Sequence, residues 1–497
     1  MAEAPSEQEV NRRRKVDALR AAGIEPYQSR YGKTHTCAEA LALFEDVEKR
    51  EGPQARTEPV SVAGRLVSIR VMGKATFAHI QDGTGRLQLH VKVDAVGEAA
   101  YQRFVELDLG DFIGARGPLF RTKRGEITGE VHEFVLLAKA LRPLPEKYHG
   151  LKDKELRYRQ RYLDLVANPE VKDIFVTRSR IISEIRNFLA QRDFVEVETP
   201  VLQAIPGGGL ARPFKTFHNA LDMELYLRIA LELHLKRLIV GGFERVYEIG
   251  HVFRNEGVDR WHTPEYTMLE VYQAYTDWEG MLELTESLVA HLAQVTVGGP
   301  SFTYQGEPID ASRPFRRLEM LDAVNQAVGE DLGRADVARL RDIARARKID
   351  VDPGLGWGGL VNVLFEALVQ PGLLQPTFVL GHPVEVSPLA RRRADDPRLT
   401  DRFELYIART EIANAFSEIN DPIDQRGRFE DQARARAQGA DESHPFDEDF
   451  LVALEHGFPP TGGMGLGIDR LTALLTDQHS NRDVILFPHL RAKDAEP

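Results

Sequence analysis

Residues 246–275, VYEIGHVFRNEGVDRWHTPEYTMLEVYQAY, constrain the fold more than any other stretch. Val246–Phe253 and Tyr266–Tyr275 are apolar, strand-like runs. The polar loop between them carries Arg254, Glu256, Asp259, Arg260, His262 and Glu265, so a long hairpin is predicted. Arg254 and Glu256 are two residues apart and point the same way, and Glu270 and Tyr272 repeat that spacing on the return strand. One face of the hairpin therefore collects charge. Alone, such a face reads as solvated surface, where charged side chains mostly sit; the rest of the chain turns it into the floor of a polar site.

A chain of 497 residues is too long for one core, so two or three domains are expected. No apolar run approaches the ~20 residues a bilayer demands, and the N-terminal stretch lacks the apolar centre of a targeting peptide. The single cysteine, Cys37, excludes an internal disulfide and a cysteine metal cluster, which fits a reducing compartment. A cytoplasmic location and no membrane partner are expected. The net charge of -12 argues against a surface that binds nucleic acid all over. The acidic excess lies after residue 150, so a polyanion would be met mainly by the first domain.

Residues 8–22 read as a short basic helix that lies either on RNA or on its own domain. From Val60 to Leu141 short alternating runs are broken by Gly64, Gly83, Gly85, Gly117 and Gly125. About five strands there, with a turn at Asp82–Gly85, predict a small barrel of the oligonucleotide-binding (OB) type. Arg70, Phe77 and Gln88 are the candidates for stacking on unpaired bases and bonding to their edges. Phe77 reads equally well as core.

Two prolines and dense charge mark residues 142–165 as a linker running into a helix. An amphipathic helix over 173–192 leads to DFVEVETPVL, a strand closed by Pro200 and suited to a two-fold dimer contact. IPGGGLARPF, 205–214, exposes backbone that can close over a ligand. A leucine-striped helix is predicted over 225–243; it carries Glu232, which needs a cation, water or a ligand ammonium. Residues 330–376 read as a helical insertion. In 402–422, Glu404, Glu411, Asn414 and Glu418 are interleaved with apolar residues, and paired carboxylates are the hard oxygen ligands that magnesium takes together with phosphates. GMGLGIDR joins a glycine-rich strand to a helix and puts Arg470 in its first turn, where an anion is favoured.

Taken together these stretches resemble class II lysyl-tRNA synthetases over essentially the whole chain. DFVEVETPVL resembles the class's dimer motif, FRNEGVDRWHTPEYT its second motif and GMGLGIDR its third. IPGGGLARPF, LKRLIVGGFERVYEIG, HPVEVSPLA and FSEIND resemble the lysine family more than its aspartate and asparagine relatives. The resemblance implies an α+β fold: an N-terminal helix and OB barrel for the anticodon (1–143), a linker (144–165) and a catalytic domain (166–497). That domain has a six-stranded antiparallel sheet flanked by helices and a helical insertion near 320–376, and the enzyme is a homodimer. It also implies roles. Arg254 meets the lysine carboxylate and the α-phosphate of ATP, Glu256 and His262 hold ATP, Tyr266 stacks on adenine, and Arg470 faces the far phosphates, so that Arg254, Glu256 and Arg470 are the catalytic group. Glu404 and Glu411 match magnesium ligands for two or three ions arriving with ATP. Gly208 and Glu232 take the α-amino group, Asn414 the carboxylate region, and Glu418, Glu270 and Tyr272 the ε-ammonium. Glu126 joins the anticodon contacts, and the partners are L-lysine, ATP and tRNA(Lys). The chain departs from the family in having Asp193 in place of glycine, Leu231 in place of proline, Tyr266 in place of phenylalanine, and the order Asp259-Arg260-Trp261 at the loop tip.

Three rivals make different demands. A relative that lysylates protein or lipid would lack the barrel or add a membrane region. A non-catalytic RNA-binding protein needs no magnesium pair. Aspartate or asparagine specificity wants a basic pocket where Glu232 and Glu418 stand.

Overall fold

β1 (Val60–Met72) is mostly buried from Val60 to Val67 and exposed at its end, whereas in β2 (Ala75–Gln81) and β3 (Arg86–Lys92) burial alternates residue by residue, as expected for strands with one face on a core. With β4 (Phe112–Gly117), β5 (Leu119–Arg121), β6 (Ile127–Val131) and β7 (Glu133–Ala138) they form a seven-stranded sheet, order β5-β6-β3-β2-β1-β4-β7. The expected strands number about five; the extra two arise because Pro118 and His132 break the final stretch into short pieces. The helix Cys37–Glu51 starts on a capping box made by Thr36 and Glu39 and drives Phe44 into the core. Asp82 shapes the predicted turn, accepting from the backbone N–H groups of Thr84 and Gly85, and also from that of Cys37. Burial pushes the Cys37 thiol up to about 12, so it is an inert core residue.

The computed structural model describes residues 5–145, 151–209, 211–437 and 445–491, in two units, 1–152 and 153–497. Part of the expected linker, 146–150, lies outside the described residues.

In the second unit come β8 (Val195–Glu196), β9 (Leu202–Gln203), β10 (Lys215–His218), β11 (Met223–Leu227), β12 (Arg245–Phe253) and β13 (Glu265–Ala274). A ribbon of β14 (Ser301–Tyr304) and β15 (Glu307–Asp310) follows, then β16 (Arg316–Glu319), β17 (Thr377–Leu380), β18 (Arg402–Ile407), β19 (Thr410–Ser417) and β20 (Thr461–Gly467). The main sheet runs β16-β17-β18-β19-β20-β13-β12-β8. Its six central strands are antiparallel, and β16 and β8 join the edges in parallel, which extends the expected six strands to eight. One face of the sheet is sealed by the helices Val171–Ala190 and Trp278–Val297, whose Ile181, Ile185, Leu282 and Leu288 pack with Leu269, Val271, Met464 and Leu466. The insertion folds as the helices Met320–Val328, Val337–Ala346 and Trp357–Leu368 around Leu340, Leu364 and Phe365.

Two local expectations need correction. The helix predicted over 225–243 starts only at Glu232, because Leu225 and Tyr226 belong to β11 and pair with Thr216 and Lys215. The strand in DFVEVETPVL shrinks to Val195–Glu196. The rest of that segment is held by a buried ion pair, Arg228–Glu248 at 2.6 Å, whose two members bind Thr199 through its carbonyl, N–H and hydroxyl.

Candidate active site

The opposite face of the main sheet is open. Register places Met268, Glu270 and Tyr272 of β13 beside Gly467, Gly465 and Gly463 of β20, and Asn414 of β19 also beside Gly465. The glycines leave a floor without side chains, which makes room for a ligand. A Cβ at 463 would stand 2.0 Å from Glu418 Oε1 and 2.6 Å from the Tyr272 ring. A cavity of about 430 Å³ lies over this floor, walled by residues that include Gly208, Glu232, Arg254, Glu256, His262, Tyr266, Glu270, Tyr272, Glu404, Glu411, Asn414 and Arg470. The hairpin, the glycine loop, the 402–418 stretch and the last helix thus converge on one site. Glu418 is the exception: it is buried behind Gly463 and Tyr272 instead of lining the cavity.

At one end the cavity is acidic. Gly208, at φ +86, sits with its Cα face against Ala230 and Glu232, where a Cβ would come within 3.1 Å of the Glu232 Cβ. Glu232 and Glu418 both contact the ammonium of Lys236, an ion triad almost without solvent access. The cation that Glu232 was expected to need is thus partly supplied from its own helix. Glu270 accepts from the Leu231 N–H at 2.9 Å and from the Tyr272 hydroxyl at 3.0 Å. Burial, with Glu232 nearby, pushes the Glu270 carboxyl up to about 7. Burial also raises Glu418 and Glu232 against the pull of Lys236.

In the middle, Arg254 leaves β12 with its guanidinium 5.4 Å from the Tyr266 ring centre, and its Nε is buried without a partner. A buried, unpaired guanidinium N–H facing a cavity is costly unless an anion meets it. Glu256 and His262 are exposed at the rim. The loop tip has its own fixings. Asp259 accepts from the backbone of Trp261 and His262 and pairs with the His262 ring at 2.7 Å. Ser480 and Asn481 donate to the carbonyls of Arg260 and Trp261. The unusual tip is therefore clipped to residues 480–481.

At the other end Arg470 donates to the Glu411 carboxylate at 3.0 Å and to its carbonyl at 2.9 Å. Asp469 orients that first turn by accepting from the Thr267 N–H and pairing with Arg178, which also binds the Thr267 hydroxyl. Glu404 accepts from Arg402 at 2.5 Å and from Tyr406 at 2.6 Å, while Arg402 also binds Asn414 Oδ1. Glu404 and Glu411 border a second recess of about 480 Å³. The donor set is all oxygen, two carboxylates with room for phosphate and water, as hard divalent cations require. No group of three or more His, Cys, Asp or Glu gathers for a metal among the described residues.

Sequence reasoning missed Lys236, Arg402, Arg178 and Asp469. The first was visible as a Glu232–Lys236 pair at helical i,i+4 spacing. Arg402 stands two residues from Glu404 on the same strand, a same-face spacing, and Arg178 and Asp469 act across elements distant in sequence.

On the barrel, Phe77 is half-buried and stacked on His90, centroids 4.3 Å apart and planes within 4°. Arg70 is exposed and paired with Phe77 in the β1–β2 register. Gln88 donates to Glu126 at 2.5 Å, and His79 meets the same carboxylate at 2.8 Å. The four expected residues therefore share one outer face, and His79 and His90 add to it.

An antiparallel sheet with an arginine-bearing hairpin, a glycine-floored strand leading into an arginine helix, and a preceding OB barrel define the class II aminoacyl-tRNA synthetase architecture. A family model described as tRNA synthetases class II (D, K and N) matches residues 153–491, and one described as an OB-fold nucleic acid binding domain matches residues 60–144. Curated relatives carry the name lysine--tRNA ligase. Those of Pelotomaculum thermopropionicum and Moorella thermoacetica are each 54% identical over 97% of this chain, covering 94% and 97% of their own lengths. That of Bacillus subtilis is 52% identical over 97% of both chains. The chain belongs to the lysine--tRNA ligase family of class II tRNA synthetases. Such enzymes are ATP-dependent ligases that generally use divalent metal ions. No helix among the described residues is long and apolar enough to cross a membrane.

Proposed function

We propose that the cavity is an adenylation site, in which L-lysine is activated by ATP as lysyl-adenylate and then passed to the 3′ end of tRNA(Lys), with release of pyrophosphate and AMP. The observation that carries this reading is the order of charges along the cavity: buried acids Glu232 and Glu270, then Arg254 with its unpaired Nε, then Arg470 with Glu411 and Glu404.

A lysine with its ammonium groups on the acids presents its carboxylate to Arg254. Gly208 and Glu232 hold the α-amino group, Asn414 borders the carboxylate, and Glu270 and Tyr272 form the ε-ammonium end, with the charge of Glu418 buried behind them. Tyr266 stacks on adenine, Glu256 and His262 hold the nucleotide from the rim, and Arg470 takes the far phosphates. A carboxylate oxygen of lysine attacks the α-phosphorus and the bond to pyrophosphate breaks. A terminal ribose hydroxyl of tRNA then attacks the activated carbonyl and AMP leaves. Arg254 serves both steps by holding the reacting groups in line and offsetting charge on the phosphorus. Glu404 and Glu411 would hold magnesium, two or three ions with ATP, which supplies charge neutralisation at the phosphates. An uncharged side chain in place of lysine would leave an acid buried without its partner, at a cost of about 3–5 kcal/mol.

The barrel's stacked Phe77–His90 pair with Arg70, Gln88 and Glu126 is the surface for anticodon bases. Exposed Val176, Val195, Val201 and Leu202 around the dimer-motif segment support a homodimer. A cytoplasmic location fits a single cysteine kept as a thiol.

ATP/pyrophosphate exchange with each amino acid in turn, followed by tRNA charging, tests the reading. Exchange that depends on lysine is expected; exchange with aspartate, or none, overturns it.

A further inference from the structure

Lys236 is 1% exposed, and its ammonium reaches Glu232, one helical turn earlier, and Glu418, beyond the end of β19. The rings of Phe416 and Phe450 close the space around it, with centroids 5.5 and 5.8 Å from Nζ. Both Glu418 oxygens are buried and make no other hydrogen bond, so this ion pair alone holds that carboxylate in place. Glu270, with Tyr272 on it, brings a third buried acid from β13. The other cations nearby have other work. Arg402, on β18, is bound to Glu404 and Asn414; Arg237 pairs with Asp447; and Arg254 faces the cavity. Three carboxylates therefore share one ammonium.

We propose that Lys236 is a positioning residue that sets the net charge of this pocket to the value a substrate with two ammonium groups neutralises. The proposal rests on lysine being the amino acid bound. With Lys236 present, the α- and ε-ammonium groups bring the cations to three, equal to Glu232, Glu270 and Glu418. Burial makes this equality matter, because an unmatched carboxylate in a dry site takes up a proton instead of staying charged. The raised carboxyls of the empty pocket are the same deficit seen before substrate arrives. Without Lys236, even bound lysine leaves one acid that must keep a proton, and that proton leaves as pH rises.

The test is the lysine KM in ATP/pyrophosphate exchange between pH 6.5 and 9 for the wild type and for Lys236→Met. The substrate's own α-amino titration is common to both, so the ratio of the two KM values is the readout. That ratio is expected to climb toward about tenfold per pH unit once the retained proton is lost, with the ATP KM changed less than about twofold. A ratio that stays constant across the range, whatever its size, assigns Lys236 to packing alone and overturns the proposal. If Lys236→Met does not fold, Lys236→Ala is assayed with and without ethylammonium: recovery of exchange is expected, and no recovery overturns the proposal. Wild-type exchange with an amino acid other than lysine appears in the same assay before any variant is compared; it removes the lysine reading, and this proposal with it.

Discussion

The backbone N–H of Leu231 donates to Glu270 Oε1 at 2.9 Å within the acidic wall of the cavity. Proline, which the family usually has at this position, has no N–H to give. This chain therefore stabilises the charged form of Glu270 with a donor that a proline would remove, beside the Tyr272 hydroxyl on the other oxygen. Burial still wins, and the carboxyl is pushed up to about 7.

The sign of the pH dependence follows. A carboxyl raised to about 7 is neutral below that pH and cannot pair with an ammonium; above it the charge is present. The lysine KM should therefore rise as pH falls from 8 to 6, approaching about tenfold per unit at the acid end, while the ATP KM stays level. Leu231→Pro removes a hydrogen bond worth about 1 kcal/mol to the carboxylate, so the inflection should move up by somewhat less than about one pH unit. The profile of lysine KM against pH for both proteins checks this, and an inflection that does not move removes Leu231 from the account.

Arg254 has no ion-pair partner within 4.0 Å among the described residues, and its Nε is buried. Arg254→Ala should therefore disturb the fold little and the chemistry greatly, with kcat/KM for exchange down by about 10³-fold. Arg254→Lys restores a point charge but not a planar fork, and should stay at least about tenfold below wild type. Thermal unfolding of both variants near the wild-type midpoint separates lost chemistry from lost structure.

The departure at Asp193 has a conformational meaning. This residue sits at φ +62, in the left-handed region, directly after the helix Val171–Ala190, with its side chain 93% exposed and only a 3.7 Å contact to Arg245. Glycine takes that conformation without a Cβ penalty, although it also enlarges the entropy of the unfolded chain. Asp193→Gly should stabilise the second unit by about 0.5 kcal/mol, since an exposed ion pair contributes little to set against it. A shift in the urea midpoint of that unit's transition is the measurement; a shift of the opposite sign would show that Arg245 matters more than the backbone.

The hairpin was readable because period-two alternation is a local signal, and its register, Val246 opposite Tyr272 and Val252 opposite Tyr266, follows from two apolar runs joined by one loop. The glycines of β20 were visible too, but their purpose was not. Only the lateral pairing of Gly463 with Tyr272 and of Gly465 with Glu270 and Asn414 makes them a floor. Leu225 and Leu227 have the same apolar spacing as the helix that follows, and only their pairing partners, remote in sequence, decide that they are strand. For the same reason Lys236 was missed: its i,i+4 spacing to Glu232 is local, but Glu418 reaches its other side only through the topology.

Phe77 was left between core and surface by the sequence, and the structure gives it a neighbour on the outer face. Thr76, Ala78 and Ile80 of the same strand point inward and are buried, whereas Phe77 is stacked flat on His90. An aromatic face made of two stacked rings, with Arg70 across the register and the Gln88–Glu126 pair alongside, can extend its stack by one unpaired base. Losing such a stack costs about 1–3 kcal/mol per base. Phe77→Ala should therefore raise the tRNA KM in charging by about 5- to 100-fold and leave lysine-dependent ATP/pyrophosphate exchange unchanged, because the residue belongs to the unit that does not contain the adenylation cavity. Burial of His90 depresses its pKa, so the ring is neutral at working pH and its contribution is stacking, not charge. Equal tRNA KM values for Phe77→Ala and wild type, measured at a stated and constant salt concentration, would remove Phe77 from the base contacts and leave the barrel's contacts to its charged residues.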